Sequence, residues 1–585
     1  MLSGDTLGRV LYIDLSRRRF SVEDRSDLFA ASLGGASAAI RLLEEECPVG
    51  ADALGPQNPI ILATGPLVGL FPVASKTVAM FKSPHTGNLG ESHAGGRSSV
   101  AIRMAGYGAI VISGASVSPV YLVVEGNQVH FRDASALWGM NSSYTVGSVM
   151  RDREVGSGLR SIMRIGRAGE RGVTFASVIT ETYRHFGRLG LGAVFGSKHL
   201  KGLVVSGERR LPVVNPRQYR EVYDAIFQAA TESPLMKKYH NLGTPMNTLS
   251  LNALGAFPTR NLQQARFEGA DAISGERLAE QHLGRRLACA HCPVACIHLA
   301  ALRLPHPKEP YFYKTSMIGY DYEPLYAMGS MLGVSEVAGL LQLIDEADIQ
   351  GLDVMTAGVV LAWATEALQR GLISTKDTDG LPLAWGDYLT YAQALRRIVT
   401  QPNDFYRALA HGVDHSSGIY GGREFALAFG GNEMPGYHTG PATHATYLTG
   451  ARHSHLDSAG YSLDEKAVAV KGAPMPPSDI GAALLHEERW RQVLASLVVC
   501  FFARGVYDQD TVLKALAVAG FSSTAEDLAT LGADTLRRKH AFKTREGFDL
   551  STVRIPQRIL ETSTPLGNLT EKDLRAAITA YKGLL

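Results

Sequence analysis

The stretch Leu287–His298, LACAHCPVACIH, limits this chain more than any other. It holds three of the five cysteines, Cys289, Cys292 and Cys296, in the spacing C-x₂-C-x₃-C. Three thiols this close suit neither a disulfide framework nor a packed core, but they can converge on one soft metal centre if the backbone wraps around it. Iron–sulfur clusters and zinc both prefer four ligands, so a fourth has to come from elsewhere. The candidates are Cys47, Cys500, His291 and His298. Cys500 lies far down the chain in SLVVCFFARG, the arrangement by which a metal centre ties two domains together. Buried free cysteines or a structural zinc site are the plainer alternatives. The pattern favours clustered metal, and iron–sulfur over zinc.

The remaining composition narrows the function classes. Lysine and arginine number 58 against 56 acidic residues, a net charge of +2 that gives no reason to expect nucleic acid or an anionic membrane as partner. Few cysteines, mostly clustered, point to a reducing compartment. The N-terminal MLSGDTLGRVLYIDLSRRRF contains no apolar core of signal-peptide length. The apolar run Val493–Ala503 is too short to cross a bilayer. A soluble, cytoplasmic protein without a membrane span is expected.

Residues 1–208 read as β-rich. Val10–Leu15 and Phe20–Glu23 flank a hairpin turn, Ile60–Ala63, Ala109–Ser113 and Val120–Val124 are apolar runs of strand length, and Gly126-Asn127 marks a second hairpin. The pattern changes near Leu211–Asn215, where Asn215 before Pro216 is an N-cap with proline at the first helical position. Helices are expected to dominate from there. One runs from a Ser335 cap to Gly351, and another over Val354–Arg370 stops at Gly371. Residues 402–447, rich in Gly, His and turn formers, read as loops, and helical periodicity resumes near Ile480. No internal repeat is visible. The expected fold is α+β: a β-rich domain over 1–208, a helical domain over 209–415, and a mostly helical domain over 416–585. Glycine segments at Gly34-Gly35 and Gly190–Lys198 fit neither the dinucleotide fingerprint nor the P-loop, although such turns, like Ser92–Gly96, bare backbone N–H groups that can hold phosphate.

Taken in order, the segments resemble the tungsten-dependent aldehyde:ferredoxin oxidoreductase family. The resemblance runs from LGRVLYIDLS (Leu7–Ser16) through TGPLVG (Thr64–Gly69), KSPHTG (Lys82–Gly87), SHAGG (Ser92–Gly96), AGY (Ala105–Tyr107) and LWG (Leu137–Gly139). It continues with IGRAGE (Ile165–Glu170), GRLGLGAVFGSKHLK (Gly187–Lys201), the cysteine cluster and FKTREGF (Phe542–Phe548). The resemblance implies a β-rich base for a metal held by two pterin dithiolenes, two helical domains closing over it, and a [4Fe–4S] cluster beside one pterin. It makes Cys500 the fourth cluster ligand, completing Cys289, Cys292 and Cys296, and leaves Cys47 an ordinary thiol.

The family's D-x-x-G-L-D motif is intact as Asp348–Asp353, so Asp348, Gly351, Leu352 and Asp353 are expected at one pterin. Its D-x-x-G-L-C partner has become Ala495–Cys500 (ASLVVC), which loses the carboxylate and the glycine and leaves Val499 beside the other pterin. Lys76 stands where the family usually has an arginine. The loop of Ser92, His93, Ala94 and Gly95 and the turn at Arg188 should touch pterin and phosphates, the latter bridged by Mg²⁺ through backbone carbonyls. Over the metal the family places a glutamate and a histidine. Glu323 matches the first and His455 the second, with His453 as rival because the usual Arg-Gly-Ala-x-His turn reads Ala-Arg-His-Ser-His here. Tyr437 is a further candidate as hydrogen-bond donor.

The implied reaction is oxidation of an aldehyde to a carboxylic acid at a bis-pterin tungsten or molybdenum centre. One cluster's worth of cysteines calls for an external acceptor, ferredoxin or a ferredoxin-like subunit, in a homo- or hetero-oligomer. The alternatives are the catalytic subunit of an aryl-CoA (benzoyl-CoA type) reductase and a zinc-stapled interaction protein.

Overall fold

The computed structural model describes residues 1–306 and 308–585. The N-terminal 207 residues form two six-stranded sheets. The first comprises β1 (Arg9–Asp14), β2 (Arg19–Asp24), β3 (Ile60–Ala63), β4 (Thr77–Lys82), β5 (Leu89–Ala94) and β6 (Ala109–Ser113). The second comprises β7 (Val120–Glu125), β8 (Gln128–Asp133), β9 (Leu159–Ile165), β10 (Val178–Thr180), β11 (Arg184–Phe186) and β12 (Leu200–Gly207). The SRRR and Gly126-Asn127 turns close the hairpins β1–β2 and β7–β8.

The strand orders are β2-β1-β6-β3-β4-β5 and β8-β7-β12-β9-β10-β11. Adding six to each number of the first gives the second. In each sheet the first and last strands of the unit pair in parallel, β1 with β6 and β7 with β12, and all other pairs are antiparallel. The base is therefore a structural duplication, which corrects the expectation that the chain has no internal repeat. Hydrogen-bond topology carries the duplication and tolerates side-chain divergence. The sheets bury Leu11, Ile13, Ile60 and Leu62 from one and Leu122, Val124, Met163 and Leu203 from the other in a shared apolar layer, the largest favourable term available to a two-layer base.

The helical part docks on both units in the same way. Behind β3, Lys76 N–H donates to Val498 C=O (3.1 Å) and Cys500 N–H to Val73 C=O (2.9 Å). Behind β9, Ser177 N–H donates to Gly351 C=O (2.8 Å) and Asp353 N–H to Phe175 C=O (3.0 Å). Both docking turns follow a helix, Pro477–Ser496 in one case and Val337–Gln350 in the other. Each turns through a left-handed residue, Val498 at φ +53° and Gly351 at φ +79°. Gly351 suits that conformation. A Cβ there would also lie 2.9 Å from the backbone of Gly166.

Helices follow as expected from Asn215, whose side chain accepts from Gln218 N–H at the start of Pro216–Glu232. Three departures stand out. The segment expected to be loop contains the helices Asp404–Leu409, Val413–Tyr420 and Pro441–Thr449. They are short and mostly buried, started by Asn403 capping Tyr406 N–H and by Pro441 at the first helical position, so tertiary packing overrides their Gly and His content. The boundary at 415/416 falls inside the second of them. The helix Val337–Gln350 is preceded by Glu336, not Ser335, and has no side-chain cap. The helical part also contains an antiparallel sheet of β13 (Leu283–Leu287), β14 (Ile297–His306) and β15 (Glu309–Tyr320). Among the described residues, no single helix is long and apolar enough to cross a membrane.

Candidate metal centre and active site

The three-cysteine run is the connection between β13 and β14, and the base holds it in place. Ala290 N–H donates to Gly96 C=O (2.9 Å), and Val73 N–H donates to His291 C=O (3.0 Å). Because Val73 also accepts from Cys500 N–H, one residue of the base brings the distant cysteine to the loop. A Cβ on Gly95 would lie 2.8 Å from Cys289 Sγ and 3.3 Å from Lys76 Nζ, so glycine is what lets base and thiols approach.

Burial, then the neighbouring Cys289 and Cys500, pushes the Cys292 thiol up to about 12, and burial with Cys500 raises Cys296 as well. Thiols that resist ionisation together need a positively charged centre among them to become thiolates. Among the described residues no three His, Cys, Asp or Glu side chains converge tightly enough to ligate one ion. The other ligand candidates are engaged elsewhere. His298 donates to His240 C=O (2.9 Å), His291 faces solvent, and Cys47 is buried with its thiol 3.8 Å from Pro48 C=O.

Beside the thiols lies a cavity of about 290 Å³ between base and helices, joined along Arg184, His185 and Glu323 by a smaller one of about 150 Å³. Lys76, His93 and Gly95 reach the larger cavity from the first unit, and Arg188, Asp348, Leu352 and Asp353 line the smaller one beside the second. Ser92 and Ala94 are buried in the β5 ladder opposite Ala79 and Thr77. Val499 packs in the apolar cluster beneath the first unit. Burial works against the charge of Lys76, but the nearby Cys500 and Cys289 outweigh it and raise its pKa. His93 is held by Glu91 (2.7 Å), and burial lowers it to about 4, so it is a neutral imidazole.

At the second unit Arg188 Nε is 3.3 Å from Asp353 Oδ2, and its Nη2 donates to Glu433 C=O (2.7 Å). Asp353 also caps the helix Val354–Gln369 through Met355 N–H (3.1 Å). Asp348 Oδ1 lies 3.2 Å from His185 Nε2 but out of hydrogen-bond alignment.

Glu323 and His455 meet in the larger cavity. Glu323 Oε2 accepts from Gly436 N–H (3.0 Å). Its Oε1 lies 3.4 Å from His455 Nδ1, out of hydrogen-bond alignment, and neither atom has another partner among the described residues. Burial raises the Glu323 carboxyl to about 8, against the opposing pull of Gly436 N–H and Arg188. Burial, then Arg188, Arg452 and Arg491, holds His455 well below its usual range. The pair is thus a carboxylic acid facing a neutral imidazole at pH 7. Tyr437 has its ring 5.1 Å from His455, stacks on Tyr461 at 4.6 Å, and accepts from Asn247 Nδ2 (3.3 Å). His453 points elsewhere. Its Nδ1 donates to Tyr447 C=O (2.8 Å), and its Nε2 accepts from buried Lys543 (2.7 Å).

Several lining residues escaped the sequence reading. Arg184 sits between the thiols and Asp321 (3.2 Å); burial opposes its charge, but Asp321, Cys289 and Cys296 together raise its pKa. His185 occupies on β11, opposite Ile179, the place His93 holds on β5 opposite Val78. Recognition of the duplication would have found it.

Buried polar atoms without partners test whether a polar cofactor fits. Arg184 Nε, His185 Nε2, Arg188 Nη1, Glu323 Oε1 and His455 Nδ1 are all in that state among the described residues, and all five residues line the two joined cavities. Such groups are rarely left unsatisfied in proteins. The set of unpaired donors and acceptors fits a polar cofactor spanning both cavities.

Comparison with known proteins agrees. The model described as "Aldehyde ferredoxin oxidoreductase, N-terminal domain" matches residues 10–207, and that described as "Aldehyde ferredoxin oxidoreductase, domains 2 & 3" matches 221–582. The chain belongs to the aldehyde ferredoxin oxidoreductase family. It is 31% identical over 580 residues to a tungsten-containing aldehyde ferredoxin oxidoreductase of Thermococcus kodakarensis, covering 96% of this chain and 92% of that one. It is also 27% identical over 548 residues to a Pyrococcus furiosus protein named aliphatic sulfonate oxidoreductase, WOR-like subunit, covering 89% and 83%. Among solved structures, the BamBC active-site complex of benzoyl coenzyme A reductase superposes with a TM-score of 0.82 over 99% of this chain and 94% of that one. At 20% identity that likeness speaks for the fold alone. The protein is an oxidoreductase, and membership of this tungsten-enzyme family implies a tungsten–pterin cofactor.

Proposed function

We propose that the protein oxidises an aldehyde to a carboxylic acid and passes the electrons one at a time to ferredoxin or a ferredoxin-like subunit. The observation that carries this reading is the Glu323–His455 pair, two orphaned polar atoms 3.4 Å apart in the cavity beside four thiols. Cys289, Cys292, Cys296 and Cys500 would hold a [4Fe–4S] cluster. Asp348, Asp353 and Arg188 would bind one pterin, and Lys76, His93 and Gly95 would lie against the other. Mg²⁺ would join their phosphates near Ser92–Gly95. When bound, the tungsten or molybdenum centre supplies the two-electron sink.

Converting an aldehyde and water to an acid releases two protons with the two electrons, and the chain's own residues handle the protons. The neutral His455 imidazole accepts a proton from the reacting oxygen, and the protonated Glu323 carboxyl donates a hydrogen bond to the substrate oxygen. Tyr437, held by Asn247 and Tyr461, packs against His455 and orients it.

An aryl-CoA reductase subunit is the second reading, and the fold shared with benzoyl coenzyme A reductase is compatible with it. Assay of the metal-loaded protein with a panel of aldehydes and with benzoyl-CoA separates the two. Turnover of aldehydes alone supports the first reading, and turnover of benzoyl-CoA alone overturns it. A cavity lined with unpaired polar atoms weighs against a zinc-stapled interaction protein.

A further inference from the structure

We propose that electrons leave the protein through a basic face formed by the helix Pro234–Leu242 and the edge strand β13, and that this face docks a small acidic iron–sulfur carrier. The inference rests on the proposed cluster and extends that reading to the carrier's binding surface. The chain as a whole is nearly balanced in charge, with 58 basic and 56 acidic residues. Segments 234–242 and 283–306 depart from that balance. They contain Lys237, Lys238, Arg285, Arg286 and Arg303 and no aspartate or glutamate.

The helix and the strand form one surface around the thiol loop. Arg286 Nε donates to His240 C=O (3.0 Å), and His240 Nδ1 donates to Val294 C=O inside the cysteine loop (2.8 Å). Lys237, Lys238, Arg285 and Arg286 are exposed. So are Ala288 and His291, which flank the half-buried Cys289 and Cys292. The thiols are therefore about one residue layer beneath this face. Charged residues on an edge strand also discourage strand pairing, which would explain Arg285 and Arg286 but not the helix lysines. Three like charges around an electron exit, Lys237, Lys238 and Arg286, raise the encounter rate of an oppositely charged partner and orient it on arrival.

The test uses the holoprotein, its iron content measured first, with the cluster photoreduced so that no aldehyde is needed. It is mixed in a stopped-flow instrument with an oxidised acidic [4Fe–4S] ferredoxin or, separately, with methyl viologen, a dication. In Lys237→Glu/Lys238→Glu/Arg286→Glu the ferredoxin rate should fall about tenfold or more at low ionic strength, and the difference should shrink as salt is added. Viologen reduction should not slow. Lys572→Glu, an equally exposed reversal on the helix Glu571–Leu584, should leave the ferredoxin rate unchanged. An unchanged ferredoxin rate in the triple variant overturns the proposal, as does an equal loss with viologen or in Lys572→Glu. A chain without iron overturns it together with the cluster. Failure to oxidise aldehydes bears only on the proposed reaction.

Discussion

Replacing Glu323 by glutamine keeps the volume and removes one ionisation. Burial raises this carboxyl from 4.5 to about 8. At 1.36 kcal/mol per pH unit, that difference corresponds to about 5 kcal/mol held against the charged form. At pH 7 about nine molecules in ten carry the proton there. The wild-type turnover rate should therefore show a limb near pH 8, where the acid is lost, and Glu323→Gln should lack it. Its turnover should also fall by about 10²-fold or more, the usual scale for a group that moves or holds a proton in the transition state. Tungsten and iron contents should be retained.

Stability carries the same signature. A folded-state pKa above the unfolded value contributes stability that is full below about pH 4.5 and is lost as pH rises through about 8. The difference in thermal midpoint between the two proteins should therefore change over that interval and be flat on either side of it. Dye-linked initial rates across pH, paired with scanning calorimetry, measure both. A limb near pH 8 that survives in Glu323→Gln would refute the assignment.

Further expectations follow from the same geometry. Cys500→Ser should lower iron content and bleach the visible absorption, whereas Cys47→Ser, whose thiol is buried at Pro48, should change neither; iron assay of the two reads this directly. His455→Asn should cut turnover with little thermal change, while His453→Asn should lower the thermal midpoint by leaving Lys543 and Tyr447 C=O short of a partner, at a cost of about 1–3 kcal/mol. The reverse pattern would make His453 the proton acceptor. Val498→Gly relieves a β-branched residue at φ +53°, worth about 1–2 kcal/mol, and gives up a fully buried side chain worth about 1.5–3 kcal/mol. The two nearly offset, so denaturant melts should show a net loss of about 1 kcal/mol; a loss beyond about 3 kcal/mol would mean that the turn is not strained.

Much of the architecture was legible because local chemistry and tertiary structure agree. Asn215-Pro216 announces its helix, and the strand-length runs of the first 208 residues are strands. The duplication was not legible because Gly351 and Val498, Asp348 and Ala495, and His185 and His93 occupy matching places, and only the last pair shares a residue type. The buried helices between Asp404 and Thr449 were hidden by glycine and histidine, which weaken local propensity without preventing packing. At the site, Cys289, Cys292, Cys296, Glu323 and His455 stood out as candidates, and the fold brings them to one place. Choosing between His453 and His455 needed the third dimension, because Lys543, ninety residues away, engages one and not the other. Arg184 and Arg491 carried no pattern of their own, so only the cavity they line reveals them.

The most direct test of the central claim is metal analysis of anaerobically purified protein for tungsten, molybdenum, iron and zinc. The account expects about four irons and about one tungsten or molybdenum per chain, with zinc absent in stoichiometric amount. Zinc bound near one per chain, with neither iron nor tungsten nor molybdenum, would contradict it.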